Sequence, residues 1–541
     1  MPLIQIRNMQ KSGLVVDLPS HEIPQAYWTR IENMHQVKGA FKRMNGAEAI
    51  YSGLPLGNHI TIAYAELEGV GNWLYSDLAT WHVLVGSTSS VEITRISGDY
   101  TGGVDDKWNS FWLNGTFILN NGVDVPQIWN PIASSQPLVD LPNWTANTTA
   151  KVIRGFKNSL IAMDLIVSSN RFPTRVRWSH PADPGQAPSS WDVSDATKLT
   201  GEVSLSETPG DIIDGLALRD RFLIYKTDSV YAMQLVGGQS IYRFSQITNA
   251  YGLLAQGCVK EYQAGQHVFL TAQGEVIVTN GQTFQDISTG KIEALLRASL
   301  HSEYRERAFV SLNKENKEVW VCVPDGGLYC EKAYVWNWES GEWVGEMILA
   351  PCLAIAEGRY SEAATSNTWD SDSGAWDADT TSWASRDTSA REEVQAVVYA
   401  GTESLQGSGV GPVVLNRGQT LSFPGVNSYS CLLERSGLAV FGSRPDGAPK
   451  VDYQRTKLVT EVWPIVETNS SMVLEVYIGA QDTRDGAVTW EGPITFDPAT
   501  QEKIDCLMEG KYISVRFHSD DEVDWSFHGY GLRVHDVGEN F

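Results

Sequence analysis

Along this chain, apolar and polar positions alternate in short runs that Gly, Asn, Asp or Pro repeatedly interrupts. Residues 117–130, FILNNGVDVPQIWN, read as strand, Asn-Gly turn and strand. Residues 220–238 follow the same plan around Thr-Asp-Ser, 267–288 around Gln-Gly and Asn-Gly, and 316–344 around Asp-Gly-Gly and Glu-Ser-Gly-Glu. Asn-Gly and Asp-Gly favour hairpins because both central residues of a type I′ turn need positive φ. Helical spacing is best developed in 290–307, where Ile292, Leu295, Leu296 and Leu300 fall near one face.

The hairpins recur near 81–98, 110–130, 152–191, 212–247, 265–288 and 308–344. One four-stranded unit in about 40–50 residues is the period of a propeller blade. A blade cannot bury both faces alone, so successive blades stack around an axis. A solenoid-like run of sandwiches would give a similar period. The expected fold class is all-β, a β-propeller-like body of repeated antiparallel blades with a C-terminal β-sandwich-like domain. An N-terminal arm and hairpin (1–50) is expected to pack on a propeller body (51–430), with the sandwich over 431–541. In the sandwich region Leu474, Val476 and Ile478 mark one strand face, Ile513, Val515 and Phe517 another, and five or more short strands are expected.

Two stretches depart from the hairpin pattern. In residues 171–192, RFPTRVRWSHPADPGQAPSSWD, a short alternating run at Val176 and Trp178 breaks off, and VRWS…DPGQAPSSW (176–191) places Pro and Gly where a central strand cannot continue, so it reads as a long connection across one blade. Trp178 and Trp191 are its packing anchors, as Trp28, Trp129 and Trp336 are elsewhere. Residues 361–395 are rich in Ser, Thr, Asp and Ala and read as a surface insertion of tandem turns. Its Trp369, Trp376 and Trp383, seven apart, form a candidate exposed interaction loop. Its Asp370, Asp372, Asp377 and Asp379 offer a calcium set, but Thr381 stands where an EF-hand needs Glu.

Composition narrows the chemistry. The chain of 541 residues is 42% hydrophobic and 20% charged, with 19 Trp, 20 Tyr and 48 Gly, a globular balance that leans to β structure. Its net charge of −24 argues against sequence-independent adhesion to DNA or anionic membrane, because phosphate affinity comes from Lys and Arg. Cys258, Cys322, Cys330, Cys352, Cys431 and Cys506 have no CxxC spacing, so buried free thiols in a reducing cytoplasm are expected. The N-terminus lacks a signal-peptide core, and no apolar run is long enough to span a bilayer. His518, His528 and His535 lie nearest one another and read as structural strand residues. No Walker, HExxH or GxSxG sequence occurs, so neither a catalytic residue nor a cofactor is expected.

Three stretches resemble the tail hub or nozzle (packaged-DNA-stabilisation) proteins of short-tailed bacteriophages. The first is 13–46, in which Asp17, Pro19, Pro24, Trp28, Thr29, Asn33, Gly39, Arg43 and Gly46 follow that family's opening pattern. The second spans GLALRDRFLIYKTDSVYAMQLVGG and YGLLAQGCVKEYQAGQHVFLTAQGEVIVTNGQTFQDISTGKIEALL, together with FILNNGVDVPQIWN. The third runs from LVTEVWPIVETNSS to FHGYGLRV. The resemblance implies a virion tail protein assembled in the bacterial cytoplasm. It implies a homo-oligomeric ring, commonly of six, below the portal–adaptor ring, which passes genome DNA and carries a distal needle, plug or fibre. Acidic subunits around such a channel would repel the genome's phosphates. Two rival readings are a carbohydrate-binding or carbohydrate-active propeller in a receptor-recognising tail component, with the Trp369, Trp376 and Trp383 set as its platform, and a generic protein-binding scaffold.

Overall fold

The computed structural model describes residues 3–50, 59–67, 70–85, 89–130, 135–238, 240–301, 303–360, 392–400, 412–418, 429–443, 449–484 and 486–539. Among them, seven antiparallel blades follow one another at 61–92, 109–140, 148–204, 212–248, 259–286, 309–352 and 355–415. Innermost strands of blades 2 to 7 touch in sequence, and that of blade 7 meets that of blade 1. Blades 1 and 2 are joined by a shared core containing Leu74, Trp81, Phe117 and Trp129. The body is an all-β propeller.

Burial on both faces explains why blade strands lose their alternation near the core. In Ser159–Val167, all but the last two residues are buried. Turn chemistry is more varied than the Asn-Gly pattern predicts. Lys38-Gly39 and Asn114-Gly115 have positive φ at both positions and make tight hairpins. At 121–122 only Gly122 is left-handed, so the expected turn is a wider loop. There Asn121 Oδ1 accepts the N–H groups of Val123 and Asp124 instead. The predicted helix is shorter than its pattern: α1 covers Glu293–Leu300, with a 3₁₀ turn at Arg305–Arg307. Asp17 caps α1 by accepting from Glu293 N and Ala294 N at 2.9 and 3.0 Å.

The C-terminal region is a two-layer sandwich. One layer contains Cys431–Leu438, Tyr512–Ser519, Leu474–Gln481 and Thr489–Phe496; the other contains Arg455–Thr468, Ile504–Gly510 and Trp525–Glu539. Short strands were the expectation, yet Arg455–Thr468 and Trp525–Glu539 run 14 and 15 residues. Their pairing shifts register at three places, and such bulges let a long ribbon twist over the core.

Five N-terminal strands enter these bodies. β1 (Leu3–Arg7) and the hairpin β3 (Met34–Val37) and β4 (Ala40–Arg43) add to the second sandwich layer. β2 (Arg30–Glu32) lies parallel to the last strand of blade 6 and antiparallel to Cys431–Leu438. One nine-stranded sheet therefore runs from blade 6 into the sandwich. β5 (Ala47–Ala49) is the outermost strand of blade 7, with Ala49 opposite Val413.

Candidate functional site: the axial cavity and the domain junction

Every innermost strand reaches the axial cavity, through residues that include Thr61, Asn109, Arg154, Leu216, Val259, Val310 and Ile355. The cavity measures about 290 Å³. Segment 104–108, leading into blade 2, also lines it and pins down the mouth. Lys107 Nζ donates to Ala308 O at 2.8 Å and Gln256 O at 3.1 Å, and burial holds its pKa below the usual lysine range. Asp105 pairs with Arg307 Nε at 2.6 Å, while Arg307 Nη1 donates to Leu328 O. Trp108 packs edge-on against Trp81 and Tyr100, at 5.1 and 5.0 Å. Deeper in, Arg154 clasps the buried Asp214 through two hydrogen bonds of 2.9 and 2.8 Å. Lys107 and Arg154 thus both carry side chains into the axial cavity.

The junction is built from polar groups that the N-terminal arm brings. Asn33 is fully buried with φ 55°, a left-handed conformation Asn tolerates. It donates from Nδ2 to Ser430 O and accepts Ile348 N–H on Oδ1, touching the sandwich and blade 6 together. His35 Nδ1 lies 2.9 Å from both oxygens of the buried Glu318 in blade 6, and its Nε2 lies 2.7 Å from Asn416 Oδ1 beside blade 7. Both ring nitrogens face acceptor oxygens, an arrangement that suits the protonated ring. Burial opposes that charge, but Glu318 and the hydrogen bonds prevail and raise its pKa. Arg435, 1% exposed, donates to Ser20 O at 2.9 Å, Ile23 O at 2.7 Å and the carbonyl of Ser436. With no carboxylate beside it, burial lowers its pKa to about 10. Lys226 and Lys457 repeat this device, holding Leu205 O and Thr208 O in one case and Arg455 O and Lys511 O in the other.

One cluster has the outline of a nucleophilic triad that the sequence did not announce. Ser430 Oγ is 2.6 Å from His518 Nε2, and His518 Nδ1 is 3.0 Å from Glu475 Oε2. Its surroundings point away from acyl transfer. Asp520 Oδ1 stands 3.4 Å from the same Nε2, so carboxylates flank both ring nitrogens. That acid would also oppose an oxyanion, which needs aimed donors. The cluster ties residue 430 to the sandwich.

The anchors predicted from sequence occupy separate cores. Trp28 meets Phe41, Phe517, Phe527 and Tyr530 inside the sandwich, with centroids 5.7 to 6.3 Å apart. Trp178 packs on Tyr242 of blade 4, and Trp191 meets Trp144 edge-on at 4.6 Å. Trp129 donates to Gln136 O at 3.0 Å, and Trp336 edges onto Tyr262. Each is less than a tenth exposed. Trp369, Trp376, Trp383, Asp370, Asp372, Asp377 and Asp379 lie outside the described residues. Among the described residues, no group of three or more His, Cys, Asp and Glu side chains is placed to hold a metal ion. Nor is any helix there long and apolar enough to cross a membrane.

No protein-family model matches the chain, and no curated protein does. Among solved structures, the AfRom2 CNH domain aligns with 68% of this chain and 98% of its own length, at 7% identity and a TM-score of 0.35. That likeness is too loose to carry an argument.

Proposed function

We propose that the chain is a non-enzymatic structural protein of a phage tail. Several copies form a hub or nozzle ring below the portal–adaptor complex. The ring closes the exit and later conducts the genome, and its far side anchors a needle, plug or fibre. The resemblance in sequence motivates this reading. The observation that carries it physically is the nine-stranded sheet shared by blade 6 and the sandwich. A sheet continuous across two domains leaves no hinge between them, and a ring that must hold packaged DNA calls for such stiff blocks. Segment 104–108, which lines the axial cavity, motivates one further step in this reading: the conduit is a lumen between copies, not the hole of one propeller. Net charge −24 would keep phosphates from adhering to its wall. No residue acts as a catalyst in this account.

The test is co-assembly. Purified chain mixed with a DNA-filled portal–adaptor complex is expected to sediment with it and retard DNA leakage. A chain that stays in the supernatant and leaves leakage unchanged refutes the reading.

A further inference from the structure

Six blades end in a free outer strand; blade 6 continues into β2. Five of those edges carry one acid and no base, namely Glu48, Glu92, Asp140, Glu202 and Asp286. Acidic edge residues suit a protein of net charge −24, since repulsion keeps open edges from pairing. Blade 4 breaks the rule. Its outer strand Tyr242–Thr248 reads YRFSQIT, with Arg243 its one charge. Arg243 is exposed and makes no ion pair among the described residues. Beside it Leu235 and Val236 are 44% and 53% exposed.

The sandwich presents the complement. Among the described residues Ile504–Gly510 is the last hydrogen-bonded strand of its layer; it lies near Leu474–Gln481 and Thr489–Phe496 of the other layer, and its exposed residues alternate as Asp505, Leu507 and Glu509. Leu507 is 70% exposed, Lys503 holds Asp505 at 2.9 Å, and Glu509 has no ion pair among the described residues. Both edges are seven residues long. Antiparallel pairing sets the start of one strand against the end of the other, so Arg243 can stand opposite Glu509. Opposite charges directly across a ladder are favourable, and exposed aliphatic groups lie close to both.

We propose that the outer strand of blade 4 docks on the Ile504–Gly510 edge of a second copy of this chain. The two patches differ, so the contact is head-to-tail and propagates into a closed ring or a filament. This inference rests on the ring reading above and names the contact within it.

Charge reversal tests it on the full chain. In sedimentation-velocity and light-scattering runs over rising concentration, wild type is expected to self-associate. Arg243→Glu should weaken that at least ten-fold, and Glu509→Arg likewise. The double variant should recover most of the loss; circular dichroism checks that each variant folds. If wild type associates and Arg243→Glu associates equally well, the contact is wrong while the ring reading stands. If wild type stays monomeric alone and on the portal–adaptor complex, both fall. If Arg243→Glu leaves association intact and instead reduces DNA binding, the edge serves phosphates and the inference is overturned.

Discussion

Blades 2 to 5 and the closing end of the propeller are built by different rules. Each of blades 2 to 5 is four consecutive strands, and its pairs form between near neighbours in the chain. Blade 7 has three such strands and takes β5 from the far end of the sequence, while the sheet of blade 6 joins that of the sandwich through β2. Local hairpins cost little loop-closure entropy, whereas these two strands must wait for hundreds of residues to be in place. The blades supply most of the core, and fifty N-terminal residues make it cooperative.

Removing residues 1–50 is the strongest way to break this contrast. It deletes β1 to β5, the partners of blade 6, blade 7 and the sandwich. Calorimetry should show one sharp transition in the full chain and a broad, low-temperature one in the truncation. An unchanged single transition would mean that the arm merely decorates the body.

Two buried cations give a graded comparison. Arg435→Met leaves the carbonyls of Ser20 and Ile23 unpaired, and Lys226→Met does the same to those of Leu205 and Thr208. Each loss should cost about 2–4 kcal/mol in urea unfolding, since an unmet buried carbonyl costs about 1–3. Their reach should differ. Hydrogen exchange should rise in both sandwich layers and blade 6 for Arg435→Met, but stay near residues 205–230 for Lys226→Met. Equal spread from both would remove the distinction between local blade and remote junction.

Acid and base should act oppositely on the two regions. His267 in blade 5 is pushed down to about 4 by burial, and it takes a hydrogen bond from Tyr225 while donating to Ala217 O. Its folded pKa lies below the unfolded value of about 6.5, so its contribution is intact above 6.5 and is lost as pH falls toward 4. That loss amounts to about 3 kcal/mol at full protonation of the unfolded chain. His35 has the reverse sign. Its folded pKa is raised, so its contribution is complete below about 6.5 and disappears as pH climbs through the folded value. Melting curves of His267→Gln and His35→Gln should therefore converge with wild type at acid and alkaline pH respectively. Convergence on the same side would contradict the assigned charge states.

The smallest effect is expected at Ser430. Ser430→Ala removes one hydrogen bond, worth about 1 kcal/mol, and a fluorophosphonate probe should not label the wild-type residue. Labelling abolished by the substitution would turn the structural cluster into a catalytic one.

What could be read from the sequence divides along the same line. Blades 3, 4 and 5 are legible because strand, turn and strand follow within a few residues, and Thr-Asp-Ser at 227–229 or Asn-Gly at 280–281 marks each reversal. The sandwich is legible from alternation at 474–478 and 513–517, though its bulged long strands look like several short ones. β2 and β5 are three residues each, and their partners lie some three hundred residues or more further along the chain, so no local pattern exposes them. Lys107 reads as an ordinary surface lysine until segment 104–108 is seen lining the axis. The role of His518 was likewise hidden, because Glu475 and Ser430 reach it from other strands.

Electron cryo-microscopy of the assembled tail with DNA still inside tests the central claim most directly. The account predicts several copies around one wide lumen, the nucleic acid running between them and none of it inside a propeller axis. Density for a strand passing through a single propeller, or one copy standing alone beneath the portal, would contradict it.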